Sequence, residues 1–210
     1  MLVVLDVNET LLDLRPLDPV LGDEAVRRRW FDLLIRATIV SAAVGEYRDF
    51  GALALEAART VLDDAATDDR LAALARTMRA LPPHPDVEPG LRALRDGGHR
   101  LVTLTNSSPA TAEAQLEHAG LRPFVEAVYS IEHAGVAKPG AGAYRFVLEA
   151  EGVEPAAALM VAAHDWDIAG AGAVGMRTAL VRRQGVRPMP GFPSPDHSVE
   201  RVDELASLLV

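Results

Sequence analysis

Four segments of this chain bring together carboxylate, hydroxyl, amine and imidazole side chains, the groups of nucleophilic and acid–base chemistry. Asp6 closes a short apolar run and is followed four residues later by Thr10, within Asp6-Val7-Asn8-Glu9-Thr10. Each later segment also begins where a strand is expected to end: Leu104-Thr105-Asn106-Ser107-Ser108, Ala137-Lys138-Pro139 with Tyr144, and His164-Asp165-Trp166-Asp167 ahead of Gly170. Each group also has a plainer reading. Asp6 can be an acidic strand end bonded to loop amides, and Thr10 and Thr105 loop-capping hydroxyls. Lys138 can be a buried ion-pair partner, Asp167 a favourable first-turn charge and His164 a hydrogen-bonded spacer. Tyr144, Trp166, Ile35 and Phe50 can be packing residues, the commoner fate of such side chains.

The elements that would position these residues follow from hydrophobic patterning. Leu2-Val3-Val4-Leu5 is continuously apolar and partly β-branched, as expected of a strand buried on both faces. The same pattern recurs at Leu101–Leu104, Ala127–Tyr129, Leu159–Val161 and Thr178–Val181. Helices are expected between them. Val87, Leu91 and Leu94 share one face ahead of Gly97-Gly98, and Ser108-Pro109 opens a helix to about Ala119. Further helices are expected over 142–151, from Asp167 to Gly175, and over 199–209. This alternation predicts an α/β fold, a Rossmann-like parallel sheet with helices on both faces, whose active residues gather at the carboxyl ends of the strands.

Residues 15–81 break the alternation with Ala/Leu/Arg-rich periodic stretches near 23–44, 50–62 and 67–80. They predict a helical cap inserted after the first strand, leaving 1–14 and 82–210 as the core domain. Pro16 and Pro19 on one side, and Pro82, Pro83 and Pro85 on the other, are expected to form stiff extended connectors.

Composition narrows the partners. With 21 basic and 30 acidic residues among 210, the formal charge is −9, which disfavours nucleic acid and anionic lipid. Hydrophobic residues at 49% and charged residues at 24% match an ordinary soluble domain and exclude disorder. The absence of cysteine removes thiol nucleophiles and thiolate metal sites. No apolar run approaches the roughly 18 residues of a membrane span, and Met1–Leu5 lacks a basic lead-in. A soluble cytoplasmic protein is expected.

The four motifs, their order and the helical insertion resemble the haloacid dehalogenase superfamily, most closely the type II L-2-haloacid dehalogenases, over essentially the whole chain. The resemblance implies that Asp6 attacks C2 of a small 2-haloalkanoic acid, that water then attacks the resulting aspartyl ester, and that Lys138 keeps Asp6 ionised. Thr10, Asp167 and His164 would complete the catalytic set, His164 standing where the family usually has asparagine. Asn8, Thr105, Asn106 and Tyr144, with Phe31, Ile35, Phe50 and Trp166, would contact the substrate. The partner implied is a small carboxylic acid, and family members pair through the helical insertion into homodimers.

Two departures matter. Asn8 stands where phosphatases of the superfamily carry a second, proton-exchanging aspartate, and Ala162-Ala163 stands where they carry a magnesium ligand. Halide departure requires neither protonation nor metal, so no cofactor is expected; magnesium belongs only to the alternative of a phosphatase acting on a small phosphate ester. Phe31 stands where the dehalogenases have the arginine that binds halide, with Arg27, Arg28, Arg29 and Arg36 nearby. That loss leaves a third reading, a degenerate member that binds a small anion or a protein without turnover.

Overall fold

A computed structural model describes residues 1–209. Six parallel strands form one sheet: β1 (Leu2–Leu5), β2 (Arg100–Thr105), β3 (Ala127–Ser130), β4 (Ala158–Ala162), β5 (Arg177–Val181) and β6 (His197–Val199). Their spatial order is β3-β2-β1-β4-β5-β6. Strand β1 is therefore flanked on both sides, with Leu5 beside Thr103 of β2 and Val161 of β4. Its alternate residues serve different layers. Val3 and Leu5 join the core that includes Leu91, Leu94 and Leu205, whereas Leu2 and Val4 face Val147, Leu148 and Ala171.

The helices in chain order are α1 (Asp18–Leu21), α2 (Glu24–Val44), α3 (Phe50–Leu62), α4 (Asp68–Met78), α5 (Val87–Asp96), α6 (Pro109–His118), α7 (Ile131–Ala134), α8 (Ala141–Glu151), α9 (Asp165–Ala173) and α10 (Leu205–Leu208). No helix among the described residues is long and apolar enough to cross a membrane. Strand order reverses between β1 and β4, because the chain moves outward to β2 and β3 before returning. Such a switch point opens a crevice at the carboxyl ends of these two strands. Asp6 follows β1 and His164 follows β4, so topology alone places them together.

Helices α1–α4 occupy the segment between β1 and α5. Trp30 of α2 is fully buried and its indole donates to the Ala54 carbonyl of α3 at 2.8 Å. The two connections to the sheet run side by side, with Asp13 N donating to Pro82 O at 2.8 Å and His84 N to Leu11 O at 2.9 Å. Pro16 and Pro19 are not in extended connectors. They occupy the first turns of short helical segments, Arg15–Leu17 and Asp18–Leu21, where a missing amide proton costs little.

The carboxyl-terminal region also differs from expectation. Instead of one helix over 199–209, strand β6 is followed by a helical turn, Val202–Glu204, and the short α10. Three residues are too few for a periodic signal, and β6 is held partly by Thr178 N donating to Asp196 at 2.7 Å. The 202–204 turn lies against α5, where a β-carbon on Gly90 would sit 2.8 Å from Asp203 N and 2.9 Å from the Val202 carbonyl carbon. Gly90→Ala is therefore expected to cost about 1–3 kcal/mol through overpacking. Urea unfolding should show a lowered midpoint at unchanged slope; an unchanged midpoint contradicts this close approach.

Candidate active site

The Lys138 ammonium stands at the centre of the crevice with all three of its donors used. It reaches Asp6 Oδ1 at 2.8 Å, Asp167 Oδ2 at 2.6 Å and the Leu104 carbonyl at 2.9 Å. The other oxygens of both carboxylates are also engaged: Thr10 donates to Asp6 Oδ2 and Tyr144 to Asp167 Oδ1, each at 2.6 Å. Thr10 further accepts from Ala163 N at 2.8 Å, joining the loop after β1 to the loop after β4. Gly170 permits this packing, since a β-carbon there would meet Tyr144 Oη at 2.6 Å.

The charges follow from these contacts. Burial pushes the Asp6 carboxyl up, but Lys138 and His164 outweigh it and hold the group well below the usual carboxylate range. Asp167 moves the opposite way: burial and the neighbouring Asp6 raise it despite Lys138. Burial works against the charge on Lys138, yet its two carboxylates raise its pKa. Tyr144 is pushed well above its ordinary value by burial and by Asp167. Asp6 is thus an ionised carboxylate, the state a nucleophile requires.

His164 lies over Asp6. Its Nδ1 is 3.2 Å from Asp6 Oδ2, though without hydrogen-bond alignment, and its Nε2 is 3.1 Å from Glu9 Oε2. Burial disfavours the imidazolium, but Asp6 and Glu9 raise its pKa from the ordinary 6.5 to about 10. The ring is sandwiched between Phe31 and Trp166, with centroids 5.5 and 4.9 Å away and interplanar angles of 29° and 14°. Glu9 adopts a left-handed backbone (φ 62°), uncommon for a residue with a side chain.

A cavity of about 400 Å³ adjoins this stack, lined by Glu9, Phe31, Ile35, His164, Trp166 and Arg183 among others. Asp6 does not line it; His164 connects the two. Of the four candidate arginines, only Arg28 reaches the cavity, and it pairs with Glu24 at 2.7 Å. Arg27 is buried on Asp18 at 2.5 Å, while Arg29 and Arg36 are exposed.

Several residues expected to touch substrate also have internal partners. Asn8 donates to Ser107 Oγ at 3.1 Å and accepts from Gln115 at 3.0 Å. The Asn106 side-chain oxygen accepts from Lys138 N at 3.0 Å, and Thr105 Oγ1 accepts from Ser107 N at 3.2 Å. Phe50 lines a second cavity of about 350 Å³ together with Ser107. Sequence reasoning missed Glu9 and Arg183 at the first cavity. The Glu9 contact had a signal in its place inside the Asp6–Thr10 loop, whereas the position of Arg183 depends on its pair of bonds to Asp86, both 2.9 Å.

Magnesium does not fit this donor set. Every side-chain oxygen of Asp6 and Asp167 already faces a cation or hydroxyl donor, and position 163 is alanine. Among the described residues no group of three or more histidines and carboxylates is arranged to hold a metal.

Comparison with known proteins adds an independent observation. The family model described as a haloacid dehalogenase-like hydrolase matches residues 1–175. An (S)-2-haloacid dehalogenase 4A from Burkholderia cepacia is 29% identical, over 98% of this chain and 93% of the relative. A solved L-2-haloacid dehalogenase superposes with a TM-score of 0.92 at 26% identity, covering 99% of this chain and 97% of that one. A glyceraldehyde 3-phosphate phosphatase from Methanopyrus kandleri is 32% identical over 61% of this chain and 57% of the relative.

Removing the central ammonium should leave two buried carboxylates without a counter-charge. Lys138→Met is expected to lose about 3–5 kcal/mol at neutral pH. Asp6, depressed in the parent, contributes stability above the ordinary carboxylate pKa that is lost on acidification. The variant should instead gain stability on acidification as its carboxylates take up protons; parallel urea-unfolding profiles against pH contradict this. Because His164 is raised, its contribution is complete below 6.5 and lost as pH rises through about 10. His164→Gln should flatten that alkaline limb, and an unaltered limb contradicts the pairing.

Proposed function

The chain belongs to the haloacid dehalogenase-like hydrolases, and from that premise we propose that it hydrolyses the carbon–halogen bond of a small 2-haloacid through an ester on Asp6. The observation that carries this reading is the Asp6 carboxylate held ionised by Lys138 at 2.8 Å, with no proton-exchanging acid at position 8. A carboxylate displaces halide from saturated carbon without metal or acid, because halide leaves as a stable anion. A departing alcohol of a phosphate ester needs a proton, and Asn8, bonded to Ser107 and Gln115, has none to give.

Within this reading Lys138 keeps Asp6 ionised, Thr10 fixes the Oδ2 oxygen, and Tyr144 with Lys138 holds Asp167 in place. The cavity walls of Phe31, Ile35 and Trp166 suit the alkyl part of a small acid. A substrate entering from this side meets the stacked rings first, so reaction at Asp6 requires the stack to part, an opening for which the paired connectors at 11–13 and 82–84 are the natural hinge. No cofactor is assigned, and the partner is a small carboxylic acid.

Incubation of the protein with L-2-chloropropionate and a metal chelator should release chloride and a 2-hydroxy acid, while Asp6→Asn should abolish both without loss of fold by circular dichroism. Metal-dependent phosphate release from a generic phosphate ester, with no chloride from the haloacid, contradicts the proposal.

A further inference from the structure

Activation of the hydrolytic water has a second candidate beside Asp167. Asp167 is fully buried, and both of its oxygens are occupied, by Lys138 and Tyr144. His164 differs. Its Nε2 is held by Glu9 and its faces by Phe31 and Trp166, which leaves Nδ1 as a buried nitrogen with no hydrogen-bond partner, 3.2 Å from Asp6 Oδ2. A ring anchored by a carboxylate on one nitrogen and facing the nucleophile with the other has the arrangement of a general base and its orienting group.

Resting on the dehalogenation reading, we propose that His164 is the catalytic base that takes the proton from the water attacking the Asp6 ester, with Glu9 as the residue that positions its ring. Esterification is what frees the base. While Asp6 is an anion, the imidazolium is favoured; once Asp6 becomes a neutral ester, His164 keeps only Glu9 as a close anionic partner and its proton is released to solvent. That proton is the one the overall hydrolysis produces.

The remaining steps balance. Water oxygen bonds to the Asp6 carboxyl carbon as its proton passes to His164 Nδ1. The bond from that carbon to the ester oxygen then breaks, and the imidazolium protonates the departing oxygen to give the 2-hydroxy acid. The second water proton passes from the Asp6 carboxyl to His164, restoring the starting ion pair. Water reaches the ester from the 400 Å³ cavity adjoining the ring through the same opening of the stack that admits substrate.

The test separates ester formation from ester hydrolysis. Parent, His164→Gln and Glu9→Gln are mixed with L-2-chloropropionate, following chloride release and intact protein mass. His164→Gln is expected to release about one chloride per chain and then stall with the acyl adduct on Asp6, as expected when the second chemical step is blocked. Its ester hydrolysis should slow by about 10²–10⁴-fold, the usual contribution of a general base. Glu9→Gln should slow the same step less and leave the chloride burst intact.

The parent's hydrolysis rate should rise with pH through the titration of the ring, and the His164→Gln rate should not. Asp6 and Glu9 from the first loop, Lys138 beyond Asp6, Arg28 and Asp32 from α2, Arg183 and Asp165 are the charged groups facing this site, and all of them remain in the His164 variant. Ester hydrolysis at the parental rate in His164→Gln overturns the proposal, as does an equal loss of both steps in a variant with parental thermal unfolding. If that variant does not fold, Glu9→Gln decides: slowed hydrolysis with a retained burst supports the role, and unchanged hydrolysis overturns it. A parent that releases no chloride removes the dehalogenation reading and this role with it; a parent that releases chloride beside a fast variant removes this role alone.

Discussion

One buried ammonium holds the crevice together. Taking a lysine and two aspartates out of water costs several kcal/mol per ion, and only close, fully bonded geometry offsets it. Lys138 meets that condition with two carboxylates and one carbonyl, all within 2.9 Å. The same contacts that offset the desolvation also fix the chemistry, because they keep Asp6 charged at the end of β1. Stability and reactivity therefore share one set of bonds.

The sheet makes that arrangement possible. β1 sits between β2 and β4, so loops that are far apart in sequence converge on its carboxyl end. Asp6 and Leu104 come from the ends of β1 and β2, Lys138 from the loop between α7 and α8, and Asp167 from the first turn of α9. Thr10, bonded both to Asp6 and to Ala163 N, ties the first loop to the fourth, and Asn106 anchors the backbone of Lys138. The helices between β1 and α5 then bring Phe31 and Ile35 over the crevice, turning an open site into one covered by apolar side chains. Phe31 and His164 form a stacked pair here, so the aromatic residue on α2 and the imidazole after β4 are best understood as a single unit.

Much of this was legible in the sequence. The five core strands announced themselves as short apolar runs, and Asp6 lies where the first of them stops; Lys138 instead lies beyond α7, and Asp167 in the first turn of α9. What patterning does not contain is the direction of a side chain. Asn8, Thr105 and Asn106 have the residue types of a binding site, and the structure also gives them internal partners in Ser107, Gln115 and the Lys138 amide. Glu9 is the converse case: its left-handed backbone is invisible in the sequence, and its partners, His164 and the distant Gln184, are not its neighbours in the chain. The β6 strand was missed for a third reason, since its pairing is set by β5 rather than by its own three residues.

The central claim is that the Asp6 side chain itself becomes bonded to substrate and is regenerated by water. A single turnover with protein in excess over a 2-haloacid, run in heavy-oxygen water, reads this at the atom. The account predicts heavy oxygen in the Asp6 carboxylate and unlabelled 2-hydroxy acid, because the product takes its oxygen from Asp6. Heavy oxygen in the product, with Asp6 unlabelled, would mean that water attacks the substrate directly and would contradict it.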